Sequence, residues 1–145
     1  MPQARLRIVG GGASEELLRQ VSQAPGALAT GFVDDLASEY DRADCCVIPL
    51  RDGAGVKFKT IEALLSGTPT VSTPIGAEGV GQHEDYVAVT DDVEELADGI
   101  TRALEDPAHR ERAVAVAQSL ARLHSPETFA QQVHRTYGMA RGGRS

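Results

Sequence analysis

Short runs of β-branched and aliphatic residues recur along this chain, each followed by a longer stretch whose apolar residues repeat with helical period. That alternation admits few folds, and the one it predicts is a doubly wound parallel sheet with helices on both faces. Leu6-Arg7-Ile8-Val9 reads as a first strand and Gly10-Gly11-Gly12 as a turn. Ser14 caps a helix that turns Leu17, Leu18 and Val21 inward, and Pro25-Gly26 ends it. A strand over Ala27 to Phe32 leads to Asp34 or Asp35 as the cap of a helix through Leu36, Tyr40 and Ala43. The unbroken apolar run Cys45 to Leu50 predicts a central strand buried on both faces, because strands covered twice do not alternate.

A glycine-containing loop, Arg51 to Lys59, runs into a helix whose expected apolar face is Phe58, Ile61, Leu64 and Leu65, stopped by Gly67-Thr68-Pro69. Thr70-Val71-Ser72 is the next strand, Pro74 to Gly79 a loop, and Tyr86 to Val89 a last short strand. Beyond it the pattern is helical. Val93, Leu96, Ile100 and Leu104 form one stripe, Asp106-Pro107 restarts a second helix, and Ser125-Pro126 a third with Phe129, Val133 and Tyr137. One domain is expected over residues 1–138, with a disordered tail over 139–145.

Charge and cysteine usage narrow the function. Fourteen basic against 21 acidic residues leave a net charge of −7, which repels nucleic acid and anionic lipid at long range, so no nucleic-acid partner is expected and membrane contact is at most peripheral. No apolar run spans a bilayer and Met1 to Arg5 lacks the apolar stretch of a signal peptide, which points to a cytoplasmic protein. Cys45 and Cys46 are adjacent in an apolar run with no metal-ligand spacing, so they read as structural thiols and no metal is expected.

Ligands of open parallel sheets bind beyond the carboxyl ends of the strands, where four loops compete. The first does not fit a dinucleotide fingerprint, since position 15, where a third glycine belongs, is Glu15. The third loop carries the chain's only lysines, Lys57 and Lys59, beside Gly53 and Gly55 and just after Arg51. A local cationic cluster on an acidic chain suits an anion. Glycines allow close backbone approach, and a helix start adds amide donors and a favourable dipole, as a diphosphate requires. Glu62 stands one turn after Lys59 and can accept hydrogen bonds from the two hydroxyls of a ribose; the alternative is a plain Lys59–Glu62 helix pair.

These residues carry a resemblance. Gly31-Phe32-Val33-Asp34-Asp35-Leu36, Val47-Ile48-Pro49-Leu50-Arg51, Gly53-Ala54-Gly55-Val56-Lys57-Phe58-Lys59-Thr60-Ile61-Glu62-Ala63-Leu64, Gly67-Thr68-Pro69-Thr70-Val71-Ser72-Thr73 and Gly76-Ala77-Glu78-Gly79 together resemble the donor-binding, C-terminal half of GT-B-fold glycosyltransferases of the retaining family 4, or group 1, type. The resemblance implies a Rossmann-like sheet and a nucleotide-diphosphate sugar as donor. It implies that Glu62 is the second glutamate of an E-x7-E motif that holds the ribose, and that Lys57 is a basic group near the phosphates. It further implies that Gly53, Ala54, Gly55 and Val56 wrap the pyrophosphate and sugar, with Arg51 and Lys59 beside them, and that Phe32 and Val33 lie against the base. The first glutamate of the motif falls on Ala54, which removes its sugar contact. The resemblance starts after the family's acceptor-binding half and after the opening strand and helix of the donor half.

The expected function is therefore the donor-binding portion of a hexosyltransferase-type enzyme of glycan biosynthesis, acting without a metal or other cofactor. Its partner is the acceptor-binding half, and alone it is expected to be inactive and prone to self-association through an uncovered sheet edge. A non-catalytic nucleotide-binding module and a fragment of a GT-B-fold sugar-nucleotide epimerase are the alternatives.

Overall fold

A computed structural model of the chain describes residues 4–123. The expected third helix from Ser125 and the tail over 139–145 lie outside the described residues. The protein is of the α/β class, with parallel strands joined through helices, as the alternating pattern predicts. It divides into two compact units, one up to Ala43 and one from Asp44.

In the first unit β1 (Leu6–Val9) pairs in parallel with β2 (Ala27–Gly31), and α1 (Glu15–Gln23) makes the crossover. The Ser14 side chain caps α1 by accepting from the Leu17 amide, and the Asp35 side chain caps α2 (Leu36–Arg42) by accepting from the Ser38 amide. Both caps stand where the sequence puts them. Arg7 and Glu39 form a two-pronged ion pair, at 2.8 Å for each contact, that ties β1 to α2. Leu18 departs from expectation: it is exposed, and only Val21 of the helix is buried.

The second unit is built on a three-stranded parallel sheet of order β3-β4-β5, with β3 at Cys46–Ile48, β4 at Thr70–Ser72 and β5 at Ala88–Val89. The Cys45–Leu50 run therefore supplies the strand β3, but not the central one. The middle position belongs to β4, all three of whose residues are fully buried, while Cys46 and Val47 are only half-buried. Hydropathy favoured the wrong strand because two of the three β4 residues carry hydroxyls. The Ser72 hydroxyl donates to the Thr73 carbonyl at 3.0 Å and the Thr70 hydroxyl to the Thr68 carbonyl at 2.9 Å, so each is paired inside the core.

Around this sheet run α3 (Phe58–Leu65), α4 (Pro74–Ala77), α5 (Val93–Glu105) and α6 (Pro107–Leu123), with a 3₁₀ turn at His83–Asp85. Leu64, Val80 and Tyr86 form the core cluster, with Ile61, Ala77, Val89 and Leu120 packed against it. The helix α5 reaches the sheet through Gly99, where a Cβ would stand 2.8 Å from that of Ala88. Two expected stripes are narrower than drawn. Phe58 and Leu65 of α3 and Val93 of α5 are exposed, and Thr60, Ala63 and Leu64 are what α3 buries. The segment after β4 was expected as a loop. Its first residues close instead into the one-turn α4, because Thr73 caps it and Pro74 occupies its first turn.

Candidate functional site

At the carboxyl end of β3 the chain leaves Leu50, passes through the exposed loop Arg51 to Val56 and enters α3 at Lys57. Gly53 and Gly55 hold φ of +125° and +97°, a region that side-chain-bearing residues rarely adopt, so the two glycines are required by the path of the loop. The helix that follows receives no side-chain cap and has no acidic residue in its first turn. No side chain of its own cap or first turn offsets its positive dipole end, which favours an incoming anion.

Lys57 is the most telling residue of the loop. It is only 7% exposed, and its Nζ donates to the Gly53 carbonyl at 2.6 Å, closing the glycine loop on itself. A buried ammonium usually finds a carboxylate, because a neutral carbonyl offsets only part of its lost hydration. Here the acceptor is a carbonyl, and the charge stays available to a better one.

Arg51, Gly53, Ala54, Gly55, Val56, Lys57, Lys59 and Glu62 are thus gathered on one loop and one helix of a single unit. Lys59 and Glu62 are exposed on α3. Phe32 and Val33 belong to the other unit, just after β2, where Phe32 is 82% exposed. The sequence reasoning missed the polar underside of the loop. The hydroxyls of Thr60 and Thr73, both buried, bond to backbone at Gly76 and Leu50. A threonine reads as ambivalent in a hydropathy pattern, and only its position within α3 and after β4 hinted at this role.

A separate groove of about 610 Å³ opens along β5 and α5, lined by Val87, Thr90, Glu95, Asp98 and Arg102 among others, and it contains none of the sequence-predicted residues. Among the described residues, no group of three or more histidine, cysteine or acidic side chains could hold a metal ion, and no helix is long and apolar enough to cross a membrane.

With this geometry in place, comparison with known proteins gives the family. The profile of the family described as Glycosyl transferases group 1 matches residues 1–106, and the chain belongs to that family. It is 30% identical over 151 aligned residues to a phosphatidyl-myo-inositol mannosyltransferase of Mycobacterium tuberculosis, covering 97% of this chain and 40% of that protein. An exopolysaccharide phosphotransferase of Streptomyces coelicolor is 33% identical over 115 residues, 74% of this chain and 12% of its own length. An uncharacterised 44.6 kDa protein from the cps region of Klebsiella pneumoniae is 32% identical over 99 residues, 63% of this chain and 26% of its own. The chain thus spans less than half the length of each of these relatives.

Proposed function

We propose that this chain is the donor-binding portion of a hexosyltransferase and that it holds a nucleotide-diphosphate sugar by its diphosphate. The observation that carries the reading is Lys57, a buried ammonium resting on the neutral Gly53 carbonyl at the uncapped start of α3. A diphosphate arriving there offers Lys57 a charged acceptor in place of that neutral carbonyl. Lys57, Lys59 and Arg51 then stabilise the negative charge that develops on the diphosphate as the bond from its oxygen to the anomeric carbon breaks, and the α3 dipole adds to this. Glu62 accepts from the ribose hydroxyls, while the backbone at Gly53 to Val56 lies along the diphosphate and sugar. The reading assigns charge stabilisation to these cations and routes no step through a metal. Membership of a glycosyltransferase family and the mannosyltransferase relative support a sugar as the group transferred. The acceptor belongs to sequence of the relatives that this chain does not match.

The test is titration calorimetry with UDP, GDP, ADP and TDP and their sugars, on the wild-type chain and on Lys57→Glu combined with Lys59→Glu. One nucleotide should bind the wild type, and the double variant should bind it at least tenfold more weakly. Equal affinity in the two proteins removes the phosphate assignment. Failure of every nucleotide to bind the wild type removes the donor reading altogether in favour of a non-catalytic module.

A further inference from the structure

We propose that Thr73 and Thr60 are positioning residues that hold the two ends of the glycine loop through a single residue, Gly76. The inference rests on the donor reading above and deepens it.

The loop starts after Leu50 and ends at Lys57, the N-cap of α3. At its entry, the Thr73 hydroxyl donates to the Leu50 carbonyl and accepts from the Gly76 amide at 3.1 Å. The Thr73 amide adds a bond to the Ile48 carbonyl at 3.1 Å, fixing the residue to the end of β3. At its exit, Thr60 lies in the first turn of α3 and its hydroxyl donates to the Gly76 carbonyl at 2.7 Å. Gly76 is therefore gripped by its N–H on one side and by its C=O on the other, in the two successive peptides that flank its Cα. It cannot drift, because it is pressed onto β3: a Cβ at Gly76 would stand 2.5 Å from the Ser72 hydroxyl and 2.9 Å from the Ile48 carbonyl oxygen. Thr60 is fully buried and Thr73 nearly so, and no buried side-chain nitrogen or oxygen among the described residues is left without a partner.

Between these anchored ends the residues Arg51 to Val56 are exposed, and the bond that closes the loop internally is Lys57 to Gly53. A diphosphate that draws the Lys57 ammonium towards itself weakens that bond. The loop then keeps its shape only if its ends are held elsewhere, and binding is tighter when less of the loop has to be ordered at that moment. The two threonines supply that hold without touching the ligand, so they act through Lys57.

The experiment compares Thr73→Val, which keeps the shape and removes the hydroxyl, with Thr73→Ser, which keeps the hydroxyl. Affinity for the nucleoside diphosphate that binds the wild type best is measured on the full chain at a temperature where circular dichroism shows each variant folded. Thr73→Val should weaken binding about fivefold or more and Thr73→Ser less than twofold. In a Lys57→Met background the loss from Thr73→Val should vanish, since the ammonium that the threonines position is gone. If Thr73→Val does not fold, Thr60→Val against Thr60→Ser provides the same comparison on the other side of Gly76. Unchanged affinity in a folded valine variant, with only its melting temperature lowered, overturns the inference and leaves the donor reading standing. A loss that persists in full in the Lys57→Met background also overturns it. A wild type that binds no nucleoside diphosphate overturns both.

Discussion

On the proposed donor reading Lys57 turns from the Gly53 carbonyl towards a phosphate, whereas Gly76 has to stay where it is. These two residues set the opposite demands on the site. The lysine was legible in the sequence because it is one of only two in the chain and stands beside two glycines. Gly76 was legible only through family resemblance, since nothing in its neighbours announces that a methyl group there has no room. The structure supplies the reason, and with it a prediction. Gly76→Ala should destabilise the second unit by about 1–3 kcal/mol, the usual cost of forcing atoms into a filled interior, as measured by urea denaturation. Ala54→Gly, in the exposed loop, should leave the denaturation midpoint nearly unchanged. A wild-type midpoint for Gly76→Ala would mean that the Ser72 and Ile48 side of the sheet yields more easily than its contacts indicate.

Strands and helices were read with uneven success, for reasons that differ by element. The caps Ser14 and Asp35 act locally, through a side chain and an amide three residues on, so sequence alone places α1 and α2. Burial is not local. The exposure of Leu18, Phe58 and Val93 and the central place of Thr70-Val71-Ser72 depend on which elements lie alongside, which periodicity cannot say. The strand β3 carries a further consequence for pH. Burial raises the Cys45 thiol to about 12 and the Cys46 thiol to about 11, and it raises the Tyr86 hydroxyl to about 12. All three stay neutral in the folded chain at pH values where the unfolded chain ionises, at about 9 for a thiol and 10 for a tyrosine. Their stabilising effect is therefore complete below pH 9 and is lost as pH rises through 11 to 12. The urea midpoint should fall steadily between pH 9 and 11, and replacing both cysteines with alanine should flatten that fall. A midpoint independent of pH over this range would show that the thiols ionise freely in the folded state.

At the scale of the whole molecule, transfer needs donor and acceptor held together at reacting distance, and this chain covers 40% of the mannosyltransferase it resembles. The 145-residue chain alone should therefore bind donor without turning it over onto a sugar or lipid acceptor, as judged by radiolabel transfer from the nucleotide sugar that binds. Multiple turnovers with no second polypeptide would place an acceptor site within these residues. The α/β class was legible throughout, because the alternation of strand-like and helical stretches is written along the entire chain. The grouping of the strands into one set of two and one of three was not, since pairing is decided by neighbours distant in sequence.

Every ladder between strands of the described residues is parallel: Leu6 meets Ala27, Cys46 meets Thr70 and Val71 meets Ala88. No hairpin exists among the described residues to start a sheet, so each pairing waits until the intervening segment has condensed and brought distant strands together. Folding is then governed by loop closure, whose entropy is lost before any inter-strand bond forms, which slows such chains relative to helical bundles of similar size. The helices α1 and α3 lie inside two of those closures, so each, once formed, shortens the disordered span that its pair of strands has to close.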